Sequence, residues 1–175
     1  MTMQRRTWVG VGVAAVAAAA GGGLAWWRHE PQRVLSAAEQ AFWAATLNDP
    51  MGQPVDFNAM RGRPLLLNFW ATWCPPCVQE LPMLNAFYQA NAPRGWQVVG
   101  LAVDQPKAVQ SFMKKLPLSF PVAMAGFNGV ELSRSLGNPN GSLPYTVVMD
   151  RSGQVVHQKV GRVSEEDLAE WAQMA

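Results

Sequence analysis

Asn68-Phe69-Trp70-Ala71-Thr72-Trp73-Cys74-Pro75-Pro76-Cys77-Val78-Gln79-Glu80-Leu81-Pro82 joins two different patterns at a pair of cysteines. Upstream, Leu65 to Trp70 is a short apolar run after the turn signal Arg61-Gly62-Arg63-Pro64, as suits a buried central strand. Downstream, apolar residues recur at Val78, Leu81, Leu84, Phe87 and Tyr88. That is helical spacing, with Pro82 expected to kink the helix. The cysteines therefore sit where a strand gives way to a helix. Unpaired N–H groups and the dipole at a helix N-terminus favour a thiolate on Cys74. Pro75 and Pro76 suit the first turn, where a missing N–H has no helical partner to lose. Cys77, one turn on, is within reach to close a disulfide. The pair is expected to work by exchange: Cys74 attacks, and Cys77 resolves the mixed disulfide.

Two other uses of a CxxC compete with this one. Zinc needs two more ligands at suitable spacing, and the two histidines, His29 and His157, are isolated. Cu(I) is the better rival, because a thiolate pair binds it unaided. The nine methionines are dispersed, however, and read as core filling. No metal or other cofactor is expected. Both cysteines of the chain belong to this one motif, so none remains for a separate structural disulfide.

Further outward, the chain alternates strands and helices. Gln97 to Val103 reads as a second buried strand. Asp104 and Pro106 open a helix with Val109, Phe112 and Leu116 on one face. A short helix around Gly129 to Leu136 ends at Gly137. Tyr145 to Met149 and Gln154 to Val160 form a hairpin across Asp150-Arg151-Ser152-Gly153. Ser164 and Asp167 make a capping box for a last helix that turns Leu168 and Trp171 inward. The expected class is α/β, a sandwich with a mixed central sheet flanked by helices.

The 175 residues allow one domain of ordinary size plus an N-terminal extension. Arg5-Arg6 precede an uncharged, Ala- and Gly-rich stretch from Trp8 to Trp27. Twenty helical residues reach roughly 30 Å, a bilayer core. Residues 1–30 thus read as a transmembrane anchor, with a cleaved export signal as the alternative. Trp26-Trp27-Arg28 resembles an interfacial belt, whereas Ala18 to Ala20 offer a peptidase small residues. Gln4-Arg5-Arg6-Thr7 is similar to a loose twin-arginine pattern. The charge bias places the C-terminal domain outside the cytoplasm, on the inner membrane if the segment is kept. Residues 31–49 are read as a juxtamembrane segment. Ser36 caps a short helix there, Ala38, Phe42 and Leu47 form its apolar part, and it packs on the domain edge. Residues 50–175 make the domain. A net charge of +2 with no basic run after Arg6 excludes nucleic acid as a partner.

The Asn68–Pro82 segment resembles the active-site segment of the TlpA/ResA/CcmG family of thioredoxin-like disulfide reductases. Leu143-Pro144-Tyr145-Thr146, before a strand that ends in Asp150, is a second match in the right order. The resemblance spans roughly residues 51–174 and implies a thioredoxin-like three-layer sandwich. It implies a cis proline at Pro144 lying against the cysteines, with the preceding backbone open to an extended substrate chain. Trp73, Pro75, Pro76, Leu143 and Pro144 become the expected substrate-binding residues, and Cys74, Cys77 and Glu80 the catalytic ones. Trp73 is expected to shield the disulfide and Trp70 to pack as core. Thioredoxin itself carries an aspartate where this chain has Asn68, which cannot accept a proton. Glu80 resembles the acidic residue of TlpA-like proteins and takes over that task in this reading. Asn138-Pro139-Asn140-Gly141-Ser142 reads as a solvent-exposed connection that borders the substrate rim.

The implied activity is reduction of disulfides in specific periplasmic proteins, such as apocytochrome c or copper-site assembly proteins. A membrane protein supplies the electrons. A disulfide-forming oxidant and a Cu(I) chaperone remain the alternatives. The Thr-x-x-Cys pattern of peroxiredoxins is absent, since Ala71 stands three residues before Cys74.

Overall fold

The computed structural model describes residues 34–174, and the expected anchor or signal within residues 1–30 lies outside them. A compact unit runs from Leu35 to the C-terminus. Among the described residues no helix is long and apolar enough to cross a membrane.

Five strands form the main sheet: β3 (Leu65–Trp70), β4 (Gln97–Ala102), β5 (Val122–Met124), β6 (Tyr145–Met149) and β7 (Val155–Val160), in the order β5-β4-β3-β6-β7. β3 runs parallel to β4 and β4 to β5, whereas β6 is antiparallel to both β3 and β7. The strand read from the sequence as central is so, and all six of its residues are buried. A separate two-stranded ribbon pairs β1 (Leu47–Asn48) with β2 (Pro54–Val55).

The two-residue period of a strand divides the core. Leu65, Leu67 and Phe69 face α1 (Ala37–Ala44) and α4 (Gly129–Ser135), packing with Phe42, Trp43, Val99, Tyr145 and Leu136. Leu66 and Trp70 face α2 (Pro75–Asn91), α3 (Pro106–Lys115) and α5 (Glu165–Trp171), packing with Leu81, Leu84, Val109, Leu168 and Trp171. This is the thioredoxin-like three-layer sandwich. Asn68 falls by the same alternation on the α2 face. Gly100, opposite it on β4, lets the Trp70 ring lie close, since a Cβ there would stand 2.8 Å from Trp70 Nε1.

Four details differ from expectation. The short strands β1, β2 and β5 have no run long enough to show a period, and β1 takes Leu47 out of the helix that Ser36 caps. That helix packs as read, but its Phe42 and Trp43 are core, so the compact unit starts before residue 50. The loop after Gly137 is not simply a solvated connection. Asn138 is fully buried and donates from Nδ2 to Ser133 Oγ (3.2 Å) and to the Ser142 carbonyl (2.9 Å), stitching the loop onto α4. Asp104 does not cap α3 itself; Gln105 is the N-cap residue.

Candidate active site

β3 ends at Trp70, and within four residues the chain has become the N-cap of α2, which is Cys74. Pro75 and Pro76 form the first helical positions. Val78 N–H is taken by the Cys74 carbonyl at 3.1 Å. With two prolines lacking N–H groups, Cys77 N–H is the remaining main-chain donor of that first turn. Cys74 and Cys77 are joined in a disulfide, with 5.3 Å between their Cα atoms. Cys77 is fully buried and Cys74 keeps 5% of its surface exposed, so an incoming sulfur reaches Cys74 first. Trp70 is sealed in the core, as expected. Trp73 is 65% exposed, which leaves its indole open to a partner.

One helical turn beyond Cys77, Glu80 is fully buried. Its Oε1 accepts from Asn68 Nδ2 at 2.7 Å and its Oε2 from the Val163 N–H at 2.9 Å. Asn68 Nδ2 also donates to Thr146 Oγ1 at 3.1 Å, across the β3–β6 register pair Asn68↔Thr146. The structure therefore brings Asn68 and Glu80 together under the helix that carries both cysteines. Burial pushes the Glu80 carboxyl above the usual range; the Val163 N–H, the Asn68 amide and Arg162 act against it without cancelling it. Such a group holds or yields a proton nearer neutrality than a solvated glutamate does.

The Leu143–Pro144 bond is cis. Pro144 directly precedes β6, whose first residue Tyr145 pairs with Phe69, so it sits at the end of β3 from which Cys74 departs. The Gly161 N–H donates to the Pro144 carbonyl at 2.9 Å. Leu143 N–H and C=O make no hydrogen bond among the described residues. Tyr145 is anchored by its hydroxyl, which donates to the Leu136 carbonyl at 2.7 Å, and its burial pushes the phenol up to about 12. The topology gathers Trp73, Asp104, Phe127 and Pro144 at one end of the sheet, beyond the carboxyl ends of β3, β4 and β5. Phe127 is 78% exposed there and carried no periodic signal in the sequence.

Thr72 and Asp104 are the residues that sequence reasoning missed. The Thr72 N–H and hydroxyl both donate to Asp104 Oδ2, tying the approach to Cys74 to the end of β4. The available signal was position: active groups gather at the carboxyl ends of parallel strands. An open groove of about 680 Å³ is lined by Pro50, Met60, Met113, Phe120 and Val122, and neither cysteine lines it. Among the described residues no group of three or more His, Cys, Asp or Glu could hold a metal ion.

Comparison with known proteins agrees with this geometry. The model of the redoxin family matches residues 37–174. The thiol-disulfide oxidoreductase ResA of Bacillus cereus is 31% identical over 128 residues, covering 73% of this chain and 72% of that protein. The crystal structure of a thiol:disulfide interchange protein of the thioredoxin family from Chlorobium tepidum TLS superposes with a TM-score of 0.65 at 33% identity, over 75% of this chain and 92% of that one. A secreted disulfide oxidoreductase of Mycobacterium tuberculosis, described as homologous to DsbE of E. coli, superposes at 0.63 with 26% identity, over 79% and 98%.

Proposed function

The chain belongs to the redoxin family as a thiol-disulfide oxidoreductase of the ResA type, and from that premise we propose that it works as a reductant outside the cytoplasm. One observation carries the reading: a cystine at a helix N-terminus with Cys74 reachable, Cys77 sealed and a buried carboxyl one turn below. In the reduced enzyme the Cys74 thiolate attacks a substrate disulfide. A Cys74–substrate bond forms as the substrate's own S–S bond breaks, and one substrate thiolate leaves. Cys77 then loses its proton and attacks the Cys74 sulfur, so the second substrate thiol departs. Two electrons have passed to the substrate and the Cys74–Cys77 disulfide remains.

Each neighbouring residue has a part in this scheme. Glu80, supported by Asn68, takes the Cys77 proton in the resolving step, where Cys77 itself has no solvent access. An extended substrate segment pairs with the unbonded main chain of Leu143 beside Pro144. Trp73 lays its exposed indole on the same segment. Pro75 and Pro76 hold Cys74 at the helix start.

An exported location is oxidising, so a reductant there needs a dedicated supply of electrons. A membrane electron-transfer protein is the proposed donor, and residues 1–30 the tether or export signal. The domain it would carry is the compact unit that starts at Leu35, so α1 belongs to that domain rather than to a linker. Apocytochrome c thiols and copper-site cysteines of assembly proteins are the proposed substrates. Cys77→Ser is expected to leave substrates trapped on Cys74, recoverable from the native membrane fraction as disulfide-linked adducts. No adduct there would count against a catalytic role. A purified domain that rapidly oxidises a dithiol peptide, with a potential of about −120 mV, would reverse the direction of flow.

A further inference from the structure

Thr72 stands two residues before Cys74, and both of its hydrogen-bond donors end on one carboxylate. Its main-chain N–H reaches Asp104 Oδ2 at 2.9 Å and its hydroxyl at 2.6 Å. The other oxygen, Oδ1, accepts from the Gln105 N–H at 2.7 Å. Asp104 is 9% exposed, so these three bonds replace most of its water. The strand ends are tied as well, since the Val103 N–H donates to the Trp70 carbonyl at 2.8 Å. Two residues of chain span at most about 7 Å. A carboxylate bonded to Thr72 is therefore held within at most about 14 Å of the Cys74 sulfur, and the turn closed by the Cys74 N–H on the Ala71 carbonyl shortens that span.

A fixed negative charge at that range disfavours a second negative charge on Cys74. It opposes the N-terminus of α2, which has already lost two N–H donors to Pro75 and Pro76. Charged groups at this end of the sheet include Glu80 on α2, Lys107 in the first turn of α3 and Arg162 after β7. Of these, Glu80 adds to the negative side and the two cations oppose it.

We propose that Asp104 is a positioning residue that biases the cysteine pair toward giving up electrons. Held by Thr72, its carboxylate destabilises the Cys74 thiolate and with it the dithiol state. In the stronger oxidants of this chemistry the opposite holds, because their reduced form is stabilised. The proposal rests on the exchange reading above and deepens it by naming what sets the direction of flow.

The test uses oxidised and reduced glutathione as the redox partner, so no natural substrate is required. Oxidation of the pair gives two electrons and two protons to the glutathione disulfide, which becomes two thiols. Asp104→Asn removes the charge and keeps one carbonyl acceptor for Thr72. The Cys74 thiol pKa, read from the pH dependence of iodoacetamide alkylation, is expected to fall by about half a unit. At a pH above both thiol values the dithiol form then becomes about threefold more populated in the same glutathione buffer. Thr72→Val keeps the charge but loosens its hold, and is expected to move both readouts the same way by less. Thr72→Ser restores them. A folded Asp104→Asn variant with unchanged thiol pKa and unchanged glutathione equilibrium overturns the proposal. Should that variant not fold, Thr72→Val indistinguishable from wild type overturns it instead. Failure of the reductase reading looks different: the wild-type pair itself would sit at the oxidising end of the scale, with the shift on Asp104→Asn intact.

Discussion

Glu80 shows how one residue type acquires a task from its surroundings. Helical spacing carries it one turn past Cys77, and strand alternation puts Asn68 on the same face, so the two meet at 2.7 Å with both side chains fully buried. A neutral amide at position 68 is what makes the arrangement workable. A second carboxylate there would repel Glu80 and force one of the pair to keep its proton. Glu80→Gln preserves size, and the Asn68 amide can turn over to face it, so the domain is expected to fold. Resolution of a Cys74–glutathione mixed disulfide is expected to slow by roughly a hundredfold, the lower end of general acid–base contributions. The inflection above the usual carboxylate range disappears from the pH–rate profile as well. A variant that keeps both the rate and the profile of the wild type would leave Glu80 a purely structural residue.

At the level of elements, α1 makes the most specific statement about stability. Glu39 closes the capping box with Ser36 and reaches across to the Val155 N–H at 2.6 Å. Trp43 Nε1 donates to the Gly153 carbonyl at 2.9 Å, Arg61 lies 4.5 Å over its ring, and Phe42 packs edge-on against it. Gly153 has φ +85° and no room for a Cβ, which would stand 2.7 Å from the indole nitrogen. Trp43→Ala is expected to cost roughly 3–5 kcal/mol of unfolding free energy by urea titration. A loss below about 1 kcal/mol would mean that α1 merely rests on the domain. The cap at Ser36 was legible because a capping box is a local pattern, and so was the one at Ser164. That α1 belongs to the core was only half legible, since its partners lie more than a hundred residues away. The same limit explains Asp104. Its position after a strand was visible, but its bonds to Thr72 depend on two parallel strands ending side by side. The cysteine site was legible because strand run, helix period and CxxC are contiguous. Asn138 was not, since a polar loop residue shows its burial only once α4 is in place.

For the whole molecule these carboxyls combine into a pH dependence with two limbs. Partial burial pushes Glu39 up, but its bonds from Val155 and Ser36 outweigh that and hold it below the ordinary value. Asp167 behaves alike, with Lys159 and Ser164 outweighing burial. A depressed carboxyl stabilises the fold above its unfolded pKa, and that stability is lost as pH falls through the folded value. Glu80 has the opposite sign. Its folded pKa is raised, so its contribution is fully present below the unfolded value and is lost as pH rises through the folded one. The unfolded reference values lie near 4 for both residue types, about 3.9 for Asp and 4.3 for Glu. Stability of the oxidised domain is therefore expected to peak at about pH 5, just above that reference range. With the disulfide closed, neither cysteine titrates, and the urea midpoint reads these groups without them. It should rise as pH falls from neutrality toward the peak and drop below about pH 4. Glu80→Gln is expected to flatten the upper limb alone, and Glu39→Gln to soften the lower one. An upper limb that survives Glu80→Gln undiminished would mean that burial of Glu80 places no strain on the folded state at neutral pH, and its supposed readiness to carry a proton would go with it.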